Sequence, residues 1–271
     1  MPRFPRQAIV LAAGLGTRLK PLTLRIPKPA LPVGGLPILL YNLFLLKEAG
    51  VERITLNLHH RPEVIRKLLG SGEALGIQLR YSYEPKILGT AGGIAQALEG
   101  MEREPSFVMN GDILMDVDLK KVAAIHLQSK ARATLVCVPK DRARVTSFVE
   151  LDRRGRVWRI AGAPELARPR PKLRKTIFSG VHLLDPALFD GYPLHRFGCV
   201  IRQVYQPALE MKERLEAYQH QGSWWDLGTL EELKWVDAAL WTRSLPLPIL
   251  EIWDRVRRWS APLFGTHRLR N

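Results

Sequence analysis

Ala8-Ile-Val-Leu-Ala12 runs straight into Ala13-Gly-Leu-Gly-Thr-Arg18. An uninterrupted apolar run of this length reads as a strand buried on both faces. The glycines behind it open a Gly/Pro-rich loop that extends to Gly35. Outward from this point, strand and helix patterns alternate. Leu36 to Ala49 reads as a helix, with Pro37 in its first turn and Gly50 as its stop. Arg53 to His59 and Ile77 to Glu84 read as strands, with a short helix, Pro62 to Leu69, between them. Ala91 to Leu98 is helical, Ser106 to Met109 is a strand running into Asn110-Gly-Asp112, Asp118 to Ser129 is a helix, and Ala133 to Val138 is another strand. Strands spaced by short helices imply β-α-β units. The expected class is therefore α/β: a Rossmann-like, mainly parallel central sheet with helices on both faces.

Past Pro139 the texture changes. Ser147 to Asp152 and Val157 to Ile160 read as a hairpin about Arg154-Gly155, the start of a small antiparallel insertion. A Pro/Arg-rich loop (Ala163 to Arg174) leads to a strand from Thr176 to Leu184, a helix from Val200 to Arg214 and a strand from Leu215 to His220. Thr229 with Glu232 three residues on is a capping box that opens another helix. Residues 1–240 are expected to form one domain and 241–271 a helical tail. In that tail 249, 252, 253, 256 and 259 are apolar, with Arg255, Arg257 and Arg258 off that face. This basic amphipathic pattern is expected to pack on the domain or on a sister subunit, so a homo-oligomer through the tail is an expectation.

Composition narrows the partners. The 271 residues are 46% hydrophobic and 25% charged, which suits a globular chain with a sizeable core. The longest apolar run, Leu36 to Leu46, is half of the ~20 residues a membrane span needs. The first residues show no signal-peptide pattern. Cys137 and Cys199 are the only cysteines, so a disulfide framework is excluded and a cytoplasmic location is expected. Forty-one Lys+Arg against 26 Asp+Glu leave a net +15, with 12 basic and 4 acidic residues between 140 and 175. Only Phe148 and Trp158 are aromatic there and no nucleic-acid module is recognisable, so a solvated basic surface is expected rather than a nucleic-acid partner.

The first loop carries the chemistry. A Gly-rich turn after a buried strand lets backbone N–H groups approach phosphate. A dinucleotide fingerprint would need glycine where Leu19 stands and an acid closing the second strand, and a Walker loop would need Gly-Lys; neither is present. Instead Arg18 and Lys28 supply two cations, which suit a polyphosphate whose charge shifts during reaction. Asp112 and Asp226 each end a strand-like segment, and two carboxylates completed by phosphate and water suit magnesium. His59-His60 have no third ligand in range and are expected to be hydrogen-bonded loop residues. Trp224-Trp225 is expected to be core packing.

Six motifs stand in one order: Leu11-Ala-Ala-Gly-Leu-Gly-Thr-Arg-Leu-Lys-Pro-Leu-Thr23, Pro27-Lys-Pro-Ala-Leu-Pro-Val-Gly-Gly-Leu-Pro37, Leu88-Gly-Thr-Ala-Gly-Gly93, Asn110-Gly-Asp112, Phe178-Ser-Gly-Val181 and Trp225-Asp-Leu-Gly-Thr229. In this the chain resembles the sugar-1-phosphate nucleotidyltransferases over about residues 7 to 240, most of all their short bacterial mannose-1-phosphate guanylyltransferase-like and N-acetylmuramate-1-phosphate uridylyltransferase-like members. The resemblance implies transfer of a nucleotide from a nucleoside triphosphate, GTP first, to a sugar 1-phosphate with Mg2+ as cofactor. It implies Leu11, Ala12, Ala13 and Gly14 at base and ribose, Gly16, Thr17 and Arg18 at the triphosphate, and Lys28 at phosphate. It further implies Gly89, Thr90, Ala91, Gly92 and Gly93 at the nucleobase, Asn110, Ser179 and Gly180 on the sugar side, and Asp112 and Asp226 on the metal. Two departures stand out. The family's Glu-Lys-Pro is replaced by Ile160-Ala-Gly-Ala-Pro164, leaving Lys172 or Lys175 as candidate replacements for its lysine, and no Asn precedes the Ser179-Gly180 pair. A non-catalytic nucleotide-sugar sensor is the competing class; Arg18, Lys28 and both aspartates weigh against it. A cytidylyltransferase for a non-sugar phosphate is a further alternative.

Overall fold

The computed structural model describes residues 4–142, 147–165 and 172–264. The loop expected over 163–174 and the end of the tail lie partly outside them. In chain order the strands are β1 (Gln7–Leu11), β2 (Pro32–Val33), β3 (Leu36–Pro37), β4 (Arg53–Leu58), β5 (Gln78–Tyr83), β6 (Ser106–Asn110), β7 (Ile113–Met115), β8 (Ala133–Pro139), β9 (Val149–Leu151), β10 (Val157–Ile160), β11 (Arg174–Leu184), β12 (Leu215–Gln219) and β13 (Trp224–Asp226). The α-helices are α1 (Ile38–Ala49), α2 (Pro62–Leu69), α3 (Gly89–Leu98), α4 (Leu119–Ser129), α5 (Gln206–Glu210), α6 (Leu230–Trp241) and α7 (Leu247–Phe264). The expected α/β class holds. Parallel ladders join β1 to β4, β4 to β5 and β8 to β12.

Chain contacts define two compact units, one formed by Met1–Pro5, Leu88–Met109 and Asp118–Gln221, the other by Arg6–Ile87, Asn110–Val117 and Gly222–Asn271. In the second unit, β1, β4 and β5 form a parallel sheet whose inner residues Ala8, Ile9, Val10, Ile54 and Leu56 are buried. Leu36 and Pro37 do not start α1 as the sequence pattern suggested. Gly34 and Gly35, at φ 60° and 76°, make a tight turn that pairs Val33 with Leu36, and the helix begins at Ile38. Ten of the twelve residues of α1 are buried, so it is a core helix and not an amphipathic one.

The final helix belongs to this unit's packing. α7 buries Ile249, Trp253 and Val256 of the expected stripe together with Leu250 and Ser260, while Ile252 and Trp259 are half-buried. Trp253 Nε1 donates to Gly34 O at 2.9 Å and Trp259 Nε1 to Leu75 O at 2.9 Å. The Arg257 guanidinium lies over the rings of Trp241 and Trp253, and Arg255 pairs with Glu48. These contacts use the basic residues as packing groups. Trp253→Ala should cost ~3–5 kcal/mol of stability, read as a lowered urea midpoint.

In the first unit β11 is the organising strand. It runs antiparallel to β6, β8 and β9, and β9 and β10 form the small antiparallel insertion around Gly155. Its ladder with β8 breaks between Phe178 and His182, where Gly180 sits at φ 87°. The helix expected over Val200 to Arg214 ends at Glu210 and is interrupted within by a π-helical turn, Ile201–Tyr205, that leads into the five-residue α5. Pro207 explains the break, since it has no N–H to donate to Gln203 and the hydrogen bonding shifts to Gln206 N–H on Ile201 O.

Two of this unit's buried histidines, His126 and His182, are set against protonation. Burial pushes His126 down to about 4 and His182 down to about 3. Both are neutral in the fold, so their contribution is complete above pH 6.5 and is lost as the pH falls toward these values. Each should remove about 1.4 kcal/mol per pH unit in that window. His126→Gln should flatten the acid limb of the stability profile by that slope, measured as urea midpoints from pH 7 to 4.5.

Candidate active site

In the second unit, the C-terminal end of β1 opens into a loop shaped by its own side chains. Gly16 is left-handed (φ 60°), and a Cβ there would lie 2.8 Å from Thr23 Cγ2 and 3.2 Å from Lys28 Cβ. Thr23 Oγ1 donates to Gly16 O at 2.9 Å, and His60 Nε2 lies 2.6 Å from Thr23 O. His59 Nδ1 is 2.7 Å from Glu84 O. Both histidines are thus hydrogen-bonded loop residues, as expected. Gly14 differs from Gly16: it is exposed, and a Cβ there would meet nothing within 4 Å. Its backbone is open to a close-approaching ligand.

Lys28 follows Pro27 in a 3-10 turn and is only 6% exposed. Its Nζ donates to Asp112 Oδ2 at 2.6 Å and lies 3.6 Å from Asp226 Oδ1. Two small strands bring the carboxylates to it. Asp112 immediately precedes β7, Asp226 ends β13, and the antiparallel ladder pairs Asp226 with Ile113. Leu227 N–H donates to Asp112 O at 3.3 Å, and Gly111 N–H to Leu11 O at 2.9 Å, which ties this turn to the end of β1. Neither β7 nor β13 was legible as a strand pair in the sequence, because each is only three residues long.

Arg18 stands exposed beside this cluster. A Cβ on Gly228 would come within 3.1 Å of both of its terminal nitrogens, so glycine makes room for the guanidinium. Burial and the neighbouring Asp112 carboxylate hold the Asp226 carboxyl above its usual range, while Lys28 and Arg18 pull it down. Two carboxylates that repel one another across a single ammonium are a donor set fitted to a hard dication. Among the described residues no three His, Cys, Asp or Glu side chains cluster into a cage. Magnesium takes one or two carboxylates and completes its shell with phosphate and water.

One network escaped the sequence reading. Asn57 Oδ1 accepts the Ala12 N–H at 2.7 Å, and Asn57 Nδ2 donates to Glu84 Oε1 at 2.7 Å, all buried. The end of β1 is thereby held by β4 and the residue after β5. The signal was a lone Asn between Leu56 and Leu58 in an otherwise apolar strand end. Asn57→Leu deprives the Ala12 N–H of its acceptor and should cost ~1–3 kcal/mol, read by thermal unfolding.

The remaining expected residues fall as follows. Asn110 O accepts from Asn42 Nδ2 at 3.3 Å in the second unit. Gly89, Thr90, Ala91 and Gly92 form the first turn of α3 in the first unit, where Ser179 and Gly180 form the bulge of β11 and Val181 N–H donates to Ser179 Oγ at 3.3 Å. Lys175 lies over the Phe148 ring, and Lys172 lines a depression of about 240 Å³ with Asp152, Arg153 and Arg174. Trp224 is buried, and Trp225 packs on Trp235 with ring centroids 6.3 Å apart.

A loop-borne pair of cations facing two carboxylates, beyond the ends of parallel strands, places the chain among α/β proteins built to handle phosphate. Residues 7–241 match the nucleotidyl transferase family model, and the chain belongs to that family. It is 33% identical over 244 residues to the mannose-1-phosphate guanylyltransferase of Mycobacterium tuberculosis, covering 90% of this chain and 67% of that protein. It is 35% identical over 233 residues to the N-acetylmuramate alpha-1-phosphate uridylyltransferase of Neisseria meningitidis, covering 84% and 95%. The chain spans only about 60% of some other guanylyltransferase relatives, such as that of Yarrowia lipolytica. Among solved structures, HddC from Yersinia pseudotuberculosis complexed with GMP-PN superposes with a TM-score of 0.70 at 25% identity, over 86% of this chain and 98% of that one. A putative glucose-1-phosphate thymidylyltransferase from Bacillus anthracis shares the fold, with a TM-score of 0.73 at 21% identity over 90% and 99%.

Proposed function

We propose that the protein joins a nucleoside triphosphate to a sugar 1-phosphate, giving a nucleoside-diphosphate sugar and pyrophosphate. The observation that carries this reading is the Lys28 ammonium set between Asp112 and Asp226 with Arg18 alongside. The named relatives support the same reaction class. GTP with mannose 1-phosphate is the first substrate pair. UTP with N-acetylmuramate 1-phosphate is the second, favoured because the chain covers 95% of that relative. Free Cys137 and Cys199 suit a reducing compartment, and the cytoplasm is the proposed location. Among the described residues no helix is long and apolar enough to cross a membrane.

The sugar phosphate is already an anionic nucleophile. Its oxygen attacks the α-phosphorus, the bond from that phosphorus to the α–β bridging oxygen breaks, and pyrophosphate leaves, so no general base is needed. Catalysis is then positioning and charge neutralisation. Leu11, Ala12, Ala13 and Gly14 face base and ribose, and the open backbone at Gly14 takes the close approach. Gly16 and Thr17 carry the triphosphate. Arg18, exposed at the surface, stabilises the α-phosphate and pyrophosphate. Lys28, fixed by burial, neutralises phosphate from the opposite side. Asp112 and Asp226 would hold magnesium, which when bound supplies positive charge to phosphate oxygens. The Gly89 to Gly92 turn takes the base, and Asn110, Ser179 and Gly180 take the sugar.

Pyrophosphate release with magnesium, across five nucleoside triphosphates and mannose, glucose, N-acetylmuramate and heptose 1-phosphates, should single out one pair. Asp112→Asn should lower turnover about 100-fold or more with the fold retained. Unchanged turnover in that variant removes the aspartates from the mechanism. Nucleotide binding without release across the whole panel points to a sensor or to an acceptor outside the panel.

A further inference from the structure

The glycines of the α3 turn are explained by the protein's own chain. A Cβ on Gly89 would lie 2.5 Å from Gly198 O, and one on Gly92 would lie 2.2 Å from Arg196 O. Neither position tolerates a side chain, because the segment from Arg196 to Val200 lies directly on the helix. That segment is stitched down by four contacts. Gly198 N–H donates to Leu88 O at 2.9 Å and Ala91 N–H to Gly198 O at 2.9 Å. Val200 N–H donates to Thr90 Oγ1 at 2.8 Å. His195 Nδ1 lies 3.3 Å from Gln96 Oε1 one and a half turns further along the helix. All of these residues belong to the first unit.

Past Val200 the segment is braced as well. Cys199 N–H donates to Gln203 Oε1 at 2.6 Å, and the π-helical turn that follows delivers the buried Tyr205 hydroxyl to His182 of β11. The segment thus connects α3 to the strand that carries Ser179 and Gly180. Its backbone occupies the Ala91 N–H, a donor the first turn of a helix would otherwise present to a ligand. A side-chain acceptor 110 residues away in sequence completes it. Only three of the four contacts are main chain to main chain or distal; the Thr90 hydroxyl is the single side-chain group in the first turn that grips the segment.

We propose that residues 196–200 form a strap that sets the orientation of the α3 first turn, and that Thr90 is its latch: a positioning residue for nucleotide binding whose hydroxyl serves Val200 and not the ligand. This rests on the reading above that the α3 turn faces the nucleotide. With the latch intact, the turn's backbone is held at one angle. Without it, Val200 N–H loses its acceptor and the strap lifts from the helix start.

Thr90→Val keeps the shape and removes the acceptor; Thr90→Ser keeps the acceptor. Amide hydrogen exchange in the nucleotide-free protein reads the strap independently of activity. Steady-state kinetics with the best triphosphate read the helix turn. Thr90→Val should speed exchange at Ala91 and Val200 by ~10-fold and raise the nucleotide KM by ~10-fold, with kcat within about twofold. Thr90→Ser should restore both. Unchanged exchange in Thr90→Val overturns the latch. Faster exchange with an unchanged KM overturns the positioning role while leaving nucleotidyl transfer standing. A Thr90→Ser variant as impaired as Thr90→Val shows that the methyl group, not the hydroxyl, matters, and overturns it too. If the unmutated protein turns over no triphosphate, the proposed reaction fails, and the exchange data still decide the strap.

Discussion

The second unit is arranged around one buried ammonium. Lys28 is almost wholly removed from water, and a lysine in that position is tolerated only with counter-charge in contact. Asp112 and Asp226 supply it at 2.6 and 3.6 Å. Every nearby structural device serves that arrangement. The Pro27 start of the 3-10 turn fixes the lysine backbone, Gly16 admits the lysine Cβ, and the β7–β13 ladder brings two carboxylates 114 residues apart in sequence to one point. Two negative charges against one buried positive charge leave the cluster with an excess of carboxylate. Burial first, and then the Asp112 carboxylate beside it, hold the Asp226 carboxyl above its usual range against the pull of Lys28 and Arg18. A dication would relieve the repulsion between the two carboxylates, which is the physical sense of proposing magnesium there.

The two cations of the loop have different mechanical characters. Lys28 is locked by burial and a short hydrogen bond, whereas Arg18 is exposed and lies against a glycine that gives it room. A fixed charge is suited to a group that does not move during transfer, and a free one to charge that develops and departs. The loop glycines divide in the same way. Gly16 is required by packing within the loop, while the space at Gly14 is empty. Identical residues two positions apart in sequence thus answer to different constraints. The Gly89 and Gly92 pair adds a third case, where the constraint is a strap of the same chain.

Patterns of local origin were legible before the structure. Strand β1, helices α2 and α4 and the Thr229–Glu232 capping box all follow from neighbours a few residues apart. The failures share a cause. The start of α1 moved because a Gly-Gly turn paired two residues that helix periodicity had claimed. The helix expected from Val200 carries a π-helical turn because Pro207 withholds a donor that the apolar pattern does not register. β7 and β13 are too short to alternate visibly, and in α7 Leu250 and Ser260 are fully buried where Ile252 and Trp259 were expected.

The sequence alone determined the α/β class, the family motifs and the identity of the charged residues, since these depend on residue type and on spacing along the chain. It determined that Lys28, Asp112 and Asp226 exist, but not that one stands between the other two. Tertiary structure decided that meeting, because three-residue strands pair only where distant chain segments converge. It also decided that the α3 glycines accommodate a strap, that Asn57 holds Ala12, and that the arginines of α7 lie over aromatic rings. Most of these are contacts between residues tens to hundreds of positions apart, and only packing selects such contacts from the many partners that composition allows.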